Sequence, residues 1–317
     1  MKRIVIGSCG GLTGYYLAKQ FRSSLGSEWE LWGLDASEAF ATAHYLGKFV
    51  KCPKTANKEA FIDFLIHLFL SEEIDYYLPT HSSETRIVSE YEQRIRNSCN
   101  TKFIISPFST YQALDNKRIC AQSLRQIGLT VPQIYQDMNE VVFPAFIKPE
   151  IGSGSKNAFV IHDKNELEPY KDKSHSVLIM QYITGNEYTV DAVFGNKGEL
   201  ITYNQRIRLR QQGGATVYSK NDYTVDIYHD LVNISKHYTC KGVINVQFFL
   251  DGNTVYYTDV NLRYASGGLP LSVASGIDLS TLLIELMDDR AIDSARYQSD
   301  RKIRVMHRFY DERFSVL

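Results

Sequence analysis

Oxygen-bearing side chains recur at two-residue spacing in one late stretch of the chain. The stretch INVQFFLDGNTVYYTDVNLRYASGGLPLSVASG (244–276) predicts two strands joined by a turn at 251–253. If the turn takes three residues, Gln247 and Asp259 are diagonal neighbours on one face of the hairpin, within about 7–8 Å. A two-residue turn would put these two side chains on opposite faces and spoil the site.

These residue types suit a divalent cation that is bound together with phosphates. Asn261 and Arg263 continue the face of Asp259, because side chains alternate along a strand. Mg²⁺ prefers oxygen ligands of this kind, and a single carboxylate makes a weak cage unless phosphates complete it. Arg263 would then reach a phosphoryl group in transfer. The alternative is that these residues form a half-polar sheet face open to water. This alternative is less favoured, because DVNLR interrupts an otherwise apolar strand.

A loop of small residues earlier in the chain is the second candidate site. FPAFIKPEIGSGSKN (143–157) predicts a strand that ends at Lys148, where Pro149 stops it, followed by glycines and serines at 152–155. Small residues let backbone N–H groups approach phosphate oxygens, and Lys148 adds positive charge beside them. The motif G-x-x-x-x-G-K-[ST] is absent and strands flank the loop, so we expect a flap over a nucleotide. Taken alone, an exposed hairpin turn is an equal alternative.

Other residues could complete a nucleotide site. Lys117 lies at a predicted helix start, where the helix dipole disfavours a cation, so a functional use is worth considering. LIMQYITGNEYTVDAVF (178–194) predicts two strands joined by a link at 181–183, whose backbone could face an adenine, while Glu187 could accept from ribose hydroxyls. RIRLRQQGG (206–214) alternates arginines on one strand face, which could meet substrate charge. Core packing or solvent exposure explains most of these residues when each is taken singly.

Glycines also cluster in VIGSCGGLTGYYLAK (5–19), close to the first residue. A strand, a glycine turn and a helix in this order are typical of a dinucleotide-binding unit, and Asp35 ends the second predicted strand, where a ribose-binding acid would lie. The fingerprint G-x-G-x-x-G is broken, however, because no two glycines bracket a single residue. A nicotinamide site, a tight turn, and a helix N-terminus that holds another anion such as a substrate carboxylate stay open, and we favour the last.

Alternating elements must position these residues. Strand patterns at 2–6, 30–34, 74–78 and 102–105 alternate with helical patterns at 12–24, 57–70 and 84–96, which predicts a parallel sheet covered on both faces. Ligands bind beyond the carboxyl ends of the strands in such sheets. After about residue 107, short strands with glycine turns predict antiparallel sheets. The expected fold class is therefore an α/β domain followed by a larger α+β region.

Composition excludes several classes of protein. The 317 residues are 44% apolar and carry a net charge of −1, which is ordinary for a globular protein and argues against nucleic-acid binding through overall charge. The five cysteines form no CxxC pair, so neither a zinc site nor a disulfide framework is predicted. The longest apolar stretch, 61–70, is too short to span a membrane, and no signal-peptide pattern opens the chain, so we expect a cytoplasmic protein.

The order of these features resembles the ATP-grasp superfamily. A helix lysine, a strand lysine before a small-residue loop, a ribose-type glutamate, and the pattern Q…D-x-N-x-R before a glycine pair are similar to carboxylate–amine ligases of the carbamoyl phosphate synthetase large-subunit type. This resemblance covers about 107–290, and the first hundred residues resemble the Rossmann-like pre-ATP-grasp domain of those ligases. It implies a pre-ATP-grasp domain over 1–106 and an ATP-grasp domain over 107–317, with a small flap subdomain at about 129–180.

The resemblance also implies a role for each candidate residue. Arg263 and Lys148 would be catalytic, and Asp259 stands where the family usually has the longer Glu. ATP would bind Lys117, Lys148, Ser153, Gly154, Ser155, Gln181, Tyr182, Ile183 and Glu187. Mg²⁺ or Mn²⁺ would bind Gln247, Asp259 and Asn261. Substrates would contact Gly10, Gly11, His81, Glu84, Arg206, Arg208, Gly267 and Gly268.

The activity that the resemblance implies is ligation. ATP would phosphorylate a carboxylate, and an amine would attack the acyl phosphate to give an amide or peptide bond, ADP and phosphate. The expected partners are small-molecule carboxylate and amine substrates, with no nucleic acid and no membrane, and a homodimer fits a chain of this size and class. Two alternatives stay open: an NAD(P)-dependent oxidoreductase that uses residues 7–14 and Asp35, and a regulatory module that binds ATP without turnover.

Overall fold

Three β-sheets organise the part of the chain that the computed structural model describes, which comprises residues 1–38, 41–150, 157–173, 176–265 and 267–309. The first sheet is parallel, and the other two are antiparallel. No helix in these ranges is both long enough and apolar enough to cross a membrane.

The first sheet follows the alternating sequence pattern. Strands β1 (Lys2–Ile6), β2 (Trp29–Asp35), β3 (Lys48–Lys51) and β4 (Tyr76–Leu78) pair in the order β3-β2-β1-β4. Its helices are α1 (Leu12–Ser24), α2 (Lys58–Ser71), α3 (Ser82–Glu90) and α4 (Glu92–Ser98), with a 3-10 turn at Ala41–Tyr45. Both faces are covered, since Val5 packs in one apolar cluster while Ile4 and Ile6 pack in another. The interpretation of this sheet as a Rossmann-like pre-ATP-grasp domain stays a prediction.

Two helices lead away from the first sheet. They are α5 (Phe108–Leu114) and α6 (Lys117–Gln126). The side chain of Asn116 accepts from the N–H groups of Arg118 and Ile119 and so starts α6. The strand expected at 102–105 is present only as a single bridge between Lys102 and Tyr76.

The second sheet is small. Strands β5 (Ala145–Pro149), β6 (Phe159–Ile161) and β7 (Val177–Gln181) pair in the order β6-β5-β7, with α7 (Lys164–Leu167) and 3-10 turns at Met138–Glu140 and Glu168–Lys173 nearby. Ile147, Ile161 and Ile179 form its apolar core. The sheet lies within the segment predicted to be a flap, 129–180, and that interpretation stays a prediction.

The third sheet is the largest. Strands β8 (Asn186–Phe194), β9 (Leu200–Gln212), β10 (Ala215–Asn221), β11 (Gly242–Asp251), β12 (Thr254–Asn261) and β13 (Val305–His307) pair in the order β12-β11-β8-β9-β10-β13. Helix α8 (Tyr228–Tyr238) covers one face, where Val190, Ile244 and Phe248 pack with Leu231 and Ile234. The remaining elements are α9 (Leu269–Ala274), α10 (Leu279–Met287) and a 3-10 turn at Ser294–Tyr297.

Apolar contacts cross the domain boundary predicted at residue 106. One cluster contains Val5 of β1 and Val190 of β8, and another contains Leu17 of α1 and Leu282 of α10. The first and third sheets therefore share their cores, and the division into two domains stays a prediction about sequence segments.

The hairpin of β11 and β12 corrects one expectation. Its turn has two residues, at 252–253, where three were expected. Thr258 forms a β-bulge and has no paired residue on β11. Gln247 therefore lies directly opposite Asp259, on the same face. The expected juxtaposition is therefore present for a different reason, because the bulge compensates for the shorter turn.

Candidate active site

One face of the third sheet carries a band of polar side chains, opposite to the face that α8 covers. Cross-strand pairs align them in two rows, Asp259–Gln247–Thr189–Arg206–Asn221 and Asn261–Asn245–Asp191–Asn204. Residues paired directly across two strands have Cβ atoms about 4.5–5.5 Å apart. We call these two rows, with Glu187, Arg208 and Ser219, the polar face. It brings the predicted metal ligands and the predicted substrate arginines onto one surface.

Two lysines from separate elements converge on this surface at Asp259. The Lys148 Nζ atom, on β5, lies 3.0 Å from Oδ2 of Asp259 and 3.3 Å from the carbonyl oxygen of Thr258. The Lys117 Nζ atom, at the first residue of α6, lies 3.9 Å from Oδ1 of the same carboxylate. Burial lowers the pKa of Lys117, and Asp259 opposes that shift. Two ammonium groups therefore face the Asp259 carboxylate at this corner.

The predicted metal ligands lie side by side. Gln247 donates from Nε2 to Oδ1 of Asn245 at 3.4 Å, and Asn261 donates from Nδ2 to the carbonyl oxygen of Asn245 at 3.5 Å. These bonds use the amide nitrogens, so the amide oxygens stay available as ligands beside Asp259. The described part of the chain contains no group of three His, Cys, Asp or Glu residues that could hold a metal ion. The donor set therefore suits Mg²⁺ only if ligand phosphates and water complete the shell.

Arg263 reaches the first sheet in this structure. Its Nε donates to the Ser82 hydroxyl at 2.6 Å, and its Nη1 donates to the carbonyl oxygen of Tyr264 at 2.7 Å. Burial lowers the pKa of Arg263, although an arginine keeps its charge at neutral pH. The contact with Ser82, at the start of α3, ties the end of β12 to the carboxyl edge of the first sheet. Its role toward a phosphoryl group stays a prediction.

The predicted adenine and ribose residues lie between the end of β7 and the start of β8. Gln181 exchanges two hydrogen bonds with the backbone of Gln133, at 2.8 and 3.3 Å. Tyr182 is 37% exposed, whereas Ile183 is buried. The Glu187 carboxylate accepts from Nη1 of Arg208 at 2.5 Å and from a glutamine of β9, Gln211, at 2.6 Å. A ribose at Glu187 would therefore compete with Arg208, which lies beside it on the polar face.

Arg206 is fully buried and ion-paired. Its Nη1 and Nη2 atoms lie 2.5 and 3.2 Å from the two carboxylate oxygens of Asp191, which also accepts from Ser272 at 2.6 Å and from Asn245 at 3.1 Å. A Cβ atom added to Gly268 would lie 2.0 Å from Nη2 of Arg206. The guanidinium therefore lies against Gly268, one of the predicted substrate contacts, and is itself shielded from solvent.

Several polar atoms of this region lack a hydrogen-bond partner among the described residues. They are buried and belong to the polar face: Thr189 Oγ1, Arg206 Nε, Arg208 Nε and Ser219 Oγ. Buried polar atoms are normally paired, so a cluster of exceptions marks a surface suited to a polar ligand or to ordered water.

The residues predicted on the amino-terminal side occupy the carboxyl edge of the first sheet. Gly10 donates its N–H to Oδ2 of Asp35 at 2.8 Å, and Gly11 precedes α1. Asp35 is the acid that a nicotinamide ribose would need, and it is engaged by the glycine turn itself. This arrangement does not favour the dinucleotide alternative.

His81 and Glu84 form a capping box at the start of α3. Glu84 is 1% exposed and accepts from the Tyr77 hydroxyl at 2.5 Å and from the Thr80 N–H at 2.9 Å. Burial raises the pKa of Glu84, whereas burial and the nearby Arg263 lower the pKa of His81. Both side chains therefore stabilise the start of α3, and their contact with a substrate stays a prediction.

Ser153, Gly154 and Ser155 lie outside the described residues, so their predicted contact with phosphates stays a prediction.

Asp191 and Asn245 were not predicted. Asn245 lies two residues before Gln247 and shares its face, so the strand periodicity alone could have identified it.

The chain is similar to known proteins in sequence and in fold. Residues 173–309 match a family model described as ATP-grasp in the biosynthetic pathway with Ter operon. The large chain of carbamoyl phosphate synthase from Clostridium acetobutylicum is 27% identical over 225 residues, which cover 63% of this chain and 21% of that protein. The chain thus spans about a fifth of the length of this curated relative.

Solved structures share the fold at low identity. Biotin carboxylase from Campylobacter jejuni superposes with a TM-score of 0.74 at 15% identity, covering 96% of this chain and 74% of that one. An L-amino acid ligase from Bacillus licheniformis gives 0.72 at 16% identity, covering 94% and 76%. N5-carboxyaminoimidazole synthetase from Staphylococcus aureus, solved with ADP, gives 0.72 at 16% identity, covering 96% and 81%. The chain has the ATP-grasp fold. Residues 173–309 match an ATP-grasp family model, and 225 residues are similar to part of the carbamoyl phosphate synthase large chain, which confirms the predicted resemblance.

Proposed function

We propose that the protein is an ATP-dependent ligase that joins a carboxylate to an amine through an acyl phosphate. The observation that carries this proposal is the convergence of the Lys117 and Lys148 ammonium groups on Asp259, beside Gln247 and Asn261 on the polar face. Cations and oxygen ligands that meet at one corner suit a polyphosphate and its metal ion. The ATP-grasp fold and the homology to a carbamoyl phosphate synthase chain support the same reaction class.

The proposed reaction has two displacements. A carboxylate oxygen of the first substrate attacks the γ-phosphorus of ATP, and the bond to ADP breaks. The amine nitrogen of the second substrate then attacks the acyl carbon, phosphate leaves with the bonding electrons, and the nitrogen loses a proton.

The protein contributes position and charge to this chemistry. Lys117 and Lys148 hold the phosphates, and Arg263 stabilises the phosphoryl group. Mg²⁺ held by Asp259, Asn261 and Gln247 would offset phosphate charge. Lys148 donates to Asp259 in this structure, so we expect phosphate binding to draw its ammonium group away from that carboxylate.

The remaining predicted contacts belong to this proposal. The link at 181–183 lies against adenine and Glu187 against ribose. Gly10, Gly11, His81, Glu84, Arg206, Arg208, Gly267 and Gly268 line or support the substrate sites. The first sheet serves as the pre-ATP-grasp domain and the second sheet as the flap. A small acid and a small amine are the substrates, and the enzyme works in the cytoplasm.

A nucleotide-binding measurement tests the proposal. Isothermal titration calorimetry with ATP and Mg²⁺ should give saturable binding, and Lys148→Met should weaken it at least tenfold, because a cation buried beside the phosphates is lost. Lys236→Met is the matched control, since Lys236 is an exposed lysine of α8. Tight NADH binding without ATP binding would favour the oxidoreductase alternative.

Turnover separates a ligase from a regulatory module. A pooled screen of amino acids and small acids should release ADP and phosphate together, only when an acid and an amine are both present. ATP binding without ADP release from any pair would instead support a module that binds nucleotide without catalysis.

A further inference from the structure

A charged pair follows the two predicted ATP lysines closely in sequence. Arg118, next to Lys117, donates from Nε to Oε1 of Glu150, which lies two residues after Lys148. The Nη2 of Arg118 also donates to the carbonyl oxygen of Val177 at 3.2 Å. The side chains of Arg118 and Glu150 are only 22% and 15% exposed. The pair therefore joins the first turn of α6 to the second sheet in a partly buried setting.

Further hydrogen bonds reinforce this junction. The N–H of Lys117 donates to the carbonyl oxygen of Glu150 at 3.2 Å, and the N–H of Glu150 donates to the carbonyl oxygen of Ser176 at 3.1 Å. Asn116, the residue that caps α6, donates from Nδ2 to Oε2 of Glu150 at 3.4 Å. Each carboxylate oxygen of Glu150 thus accepts from the beginning of α6.

The junction constrains the distance between the two lysines. Lys117 is the first residue of α6, and Lys148 belongs to β5, so no regular element contains both. Their ammonium groups nevertheless reach opposite oxygens of the Asp259 carboxylate, at 3.9 and 3.0 Å. A relative shift of about 1 Å between α6 and β5 would separate these groups, and errors of that size are costly in a preorganised site.

We propose that Arg118 and Glu150 act as a positioning clamp, which sets the relative placement of Lys117 and Lys148 for the phosphates of ATP. The inference rests on the proposed function, because it assumes that these lysines bind a nucleotide. It assigns a role to two residues that need not touch the nucleotide themselves.

The charge of Glu150 distinguishes a clamp from a direct effect. A carboxylate close to a polyphosphate repels it, so removal of the charge alone would strengthen ATP binding. A clamp predicts the opposite, because loss of the ion pair loosens both lysines. The isosteric change Glu150→Gln therefore separates the two explanations by the sign of the affinity change.

Calorimetric titration of ATP with Mg²⁺ tests the clamp in four proteins: the parent, Glu150→Gln, Arg118→Met and the double variant. We expect each single change to weaken binding about tenfold, and the double variant to bind no more weakly than the weaker single variant, since one unit is removed in each case. Arg118→Lys should give an intermediate affinity, because lysine keeps the charge but cannot form the forked contacts. Glu30→Gln is the matched control. It breaks the Arg3–Glu30 ion pair of the first sheet, which is also partly buried, at 31% and 30% exposure, and it should leave affinity unchanged.

Three results would overturn the clamp. They are an unchanged or tighter ATP affinity in Glu150→Gln, additive losses in the double variant, or a loss of the same size in Glu30→Gln. The Tm of each ligand-free variant shows whether the protein remains folded, and Arg118→Lys serves if a larger change prevents folding. Failure of the parent to bind ATP would refute the nucleotide site and the clamp with it, whereas normal binding by the parent and by Glu150→Gln would refute the clamp alone.

Discussion

Replacement of Arg206 by methionine removes one half of a buried ion pair. The side chains of Arg206 and its partner Asp191 are only 1% and 3% exposed. Both terminal nitrogens of Arg206 bond to the Asp191 carboxylate, at 2.5 and 3.2 Å. Methionine fills part of the volume but leaves a buried anion without its cation. Removing one partner of such a pair costs about 3–5 kcal/mol.

We therefore expect the free energy of unfolding of Arg206→Met to fall by about 3–5 kcal/mol at pH 7. The Tm should fall by roughly 4–8 °C for a chain of this size. Chemical denaturation followed by circular dichroism measures the free energy, and differential scanning calorimetry measures the Tm. Arg210→Met is the control, because Arg210 is an exposed arginine of the same strand, and it should change stability by less than about 0.5 kcal/mol.

A second substitution sharpens this experiment. Addition of Asp191→Asn to Arg206→Met removes the stranded charge; the asparagine oxygen can accept from Asn245, and its amide nitrogen can donate to the Ser272 hydroxyl. The double variant should be more stable than Arg206→Met alone. A loss of less than about 1 kcal/mol in Arg206→Met, or no recovery in the double variant, would refute the reasoning about this buried pair.

Two further predictions concern buried groups near the site. Burial raises the pKa of Glu84, so the folded protein holds this proton to higher pH than the unfolded chain, whose Glu pKa is about 4.3. The free energy of unfolding should therefore fall as pH rises from that value through the folded pKa. Urea titrations across pH 4 to 8 should show that Glu84→Gln removes this part of the decline. A pH profile that is the same in Glu84→Gln and the parent would contradict this prediction. Gly268→Ala would place a Cβ atom 2.0 Å from Nη2 of Arg206, so we expect unfolding to become easier by about 1–3 kcal/mol. Gly47→Ala, whose Cβ would have no neighbour nearer than 3.6 Å, should cost less, and equal losses in the two variants would show that Arg206 does not fill the space under Gly268.

Patterns in contiguous residues predicted much of the fold. The helix expected at 12–24 is α1, Leu12–Ser24, because its apolar spacing and flanking glycines are local signals. Strand β3 was missed, since the four residues KFVK are too short to show an alternation. The strand expected at 102–105 has only one bridge, because its pairing depends on neighbours that a local pattern does not reveal.

In the site, too, local patterns predicted some features, and long-range pairing determined the others. Side-chain alternation put Asp259 and Asn261 on one face. The placement of Gln247 on that face depends on the two-residue turn and the bulge at Thr258, which could not be read from the sequence. The partners of Arg206 and Glu187 depend on the register between β8 and β9, which long-range packing fixes. The bonds between Arg118 and Glu150 join segments that are distant in sequence, so no local signal identifies them.

A structure of the protein with Mg²⁺ and a non-hydrolysable ATP analogue tests the central claim most directly. We expect the phosphates to lie within hydrogen-bond distance of both Lys117 and Lys148, and the metal ion to contact Asp259 and Asn261. A nucleotide bound at the glycine turn of residues 7–14, or phosphates remote from both lysines, would contradict the account.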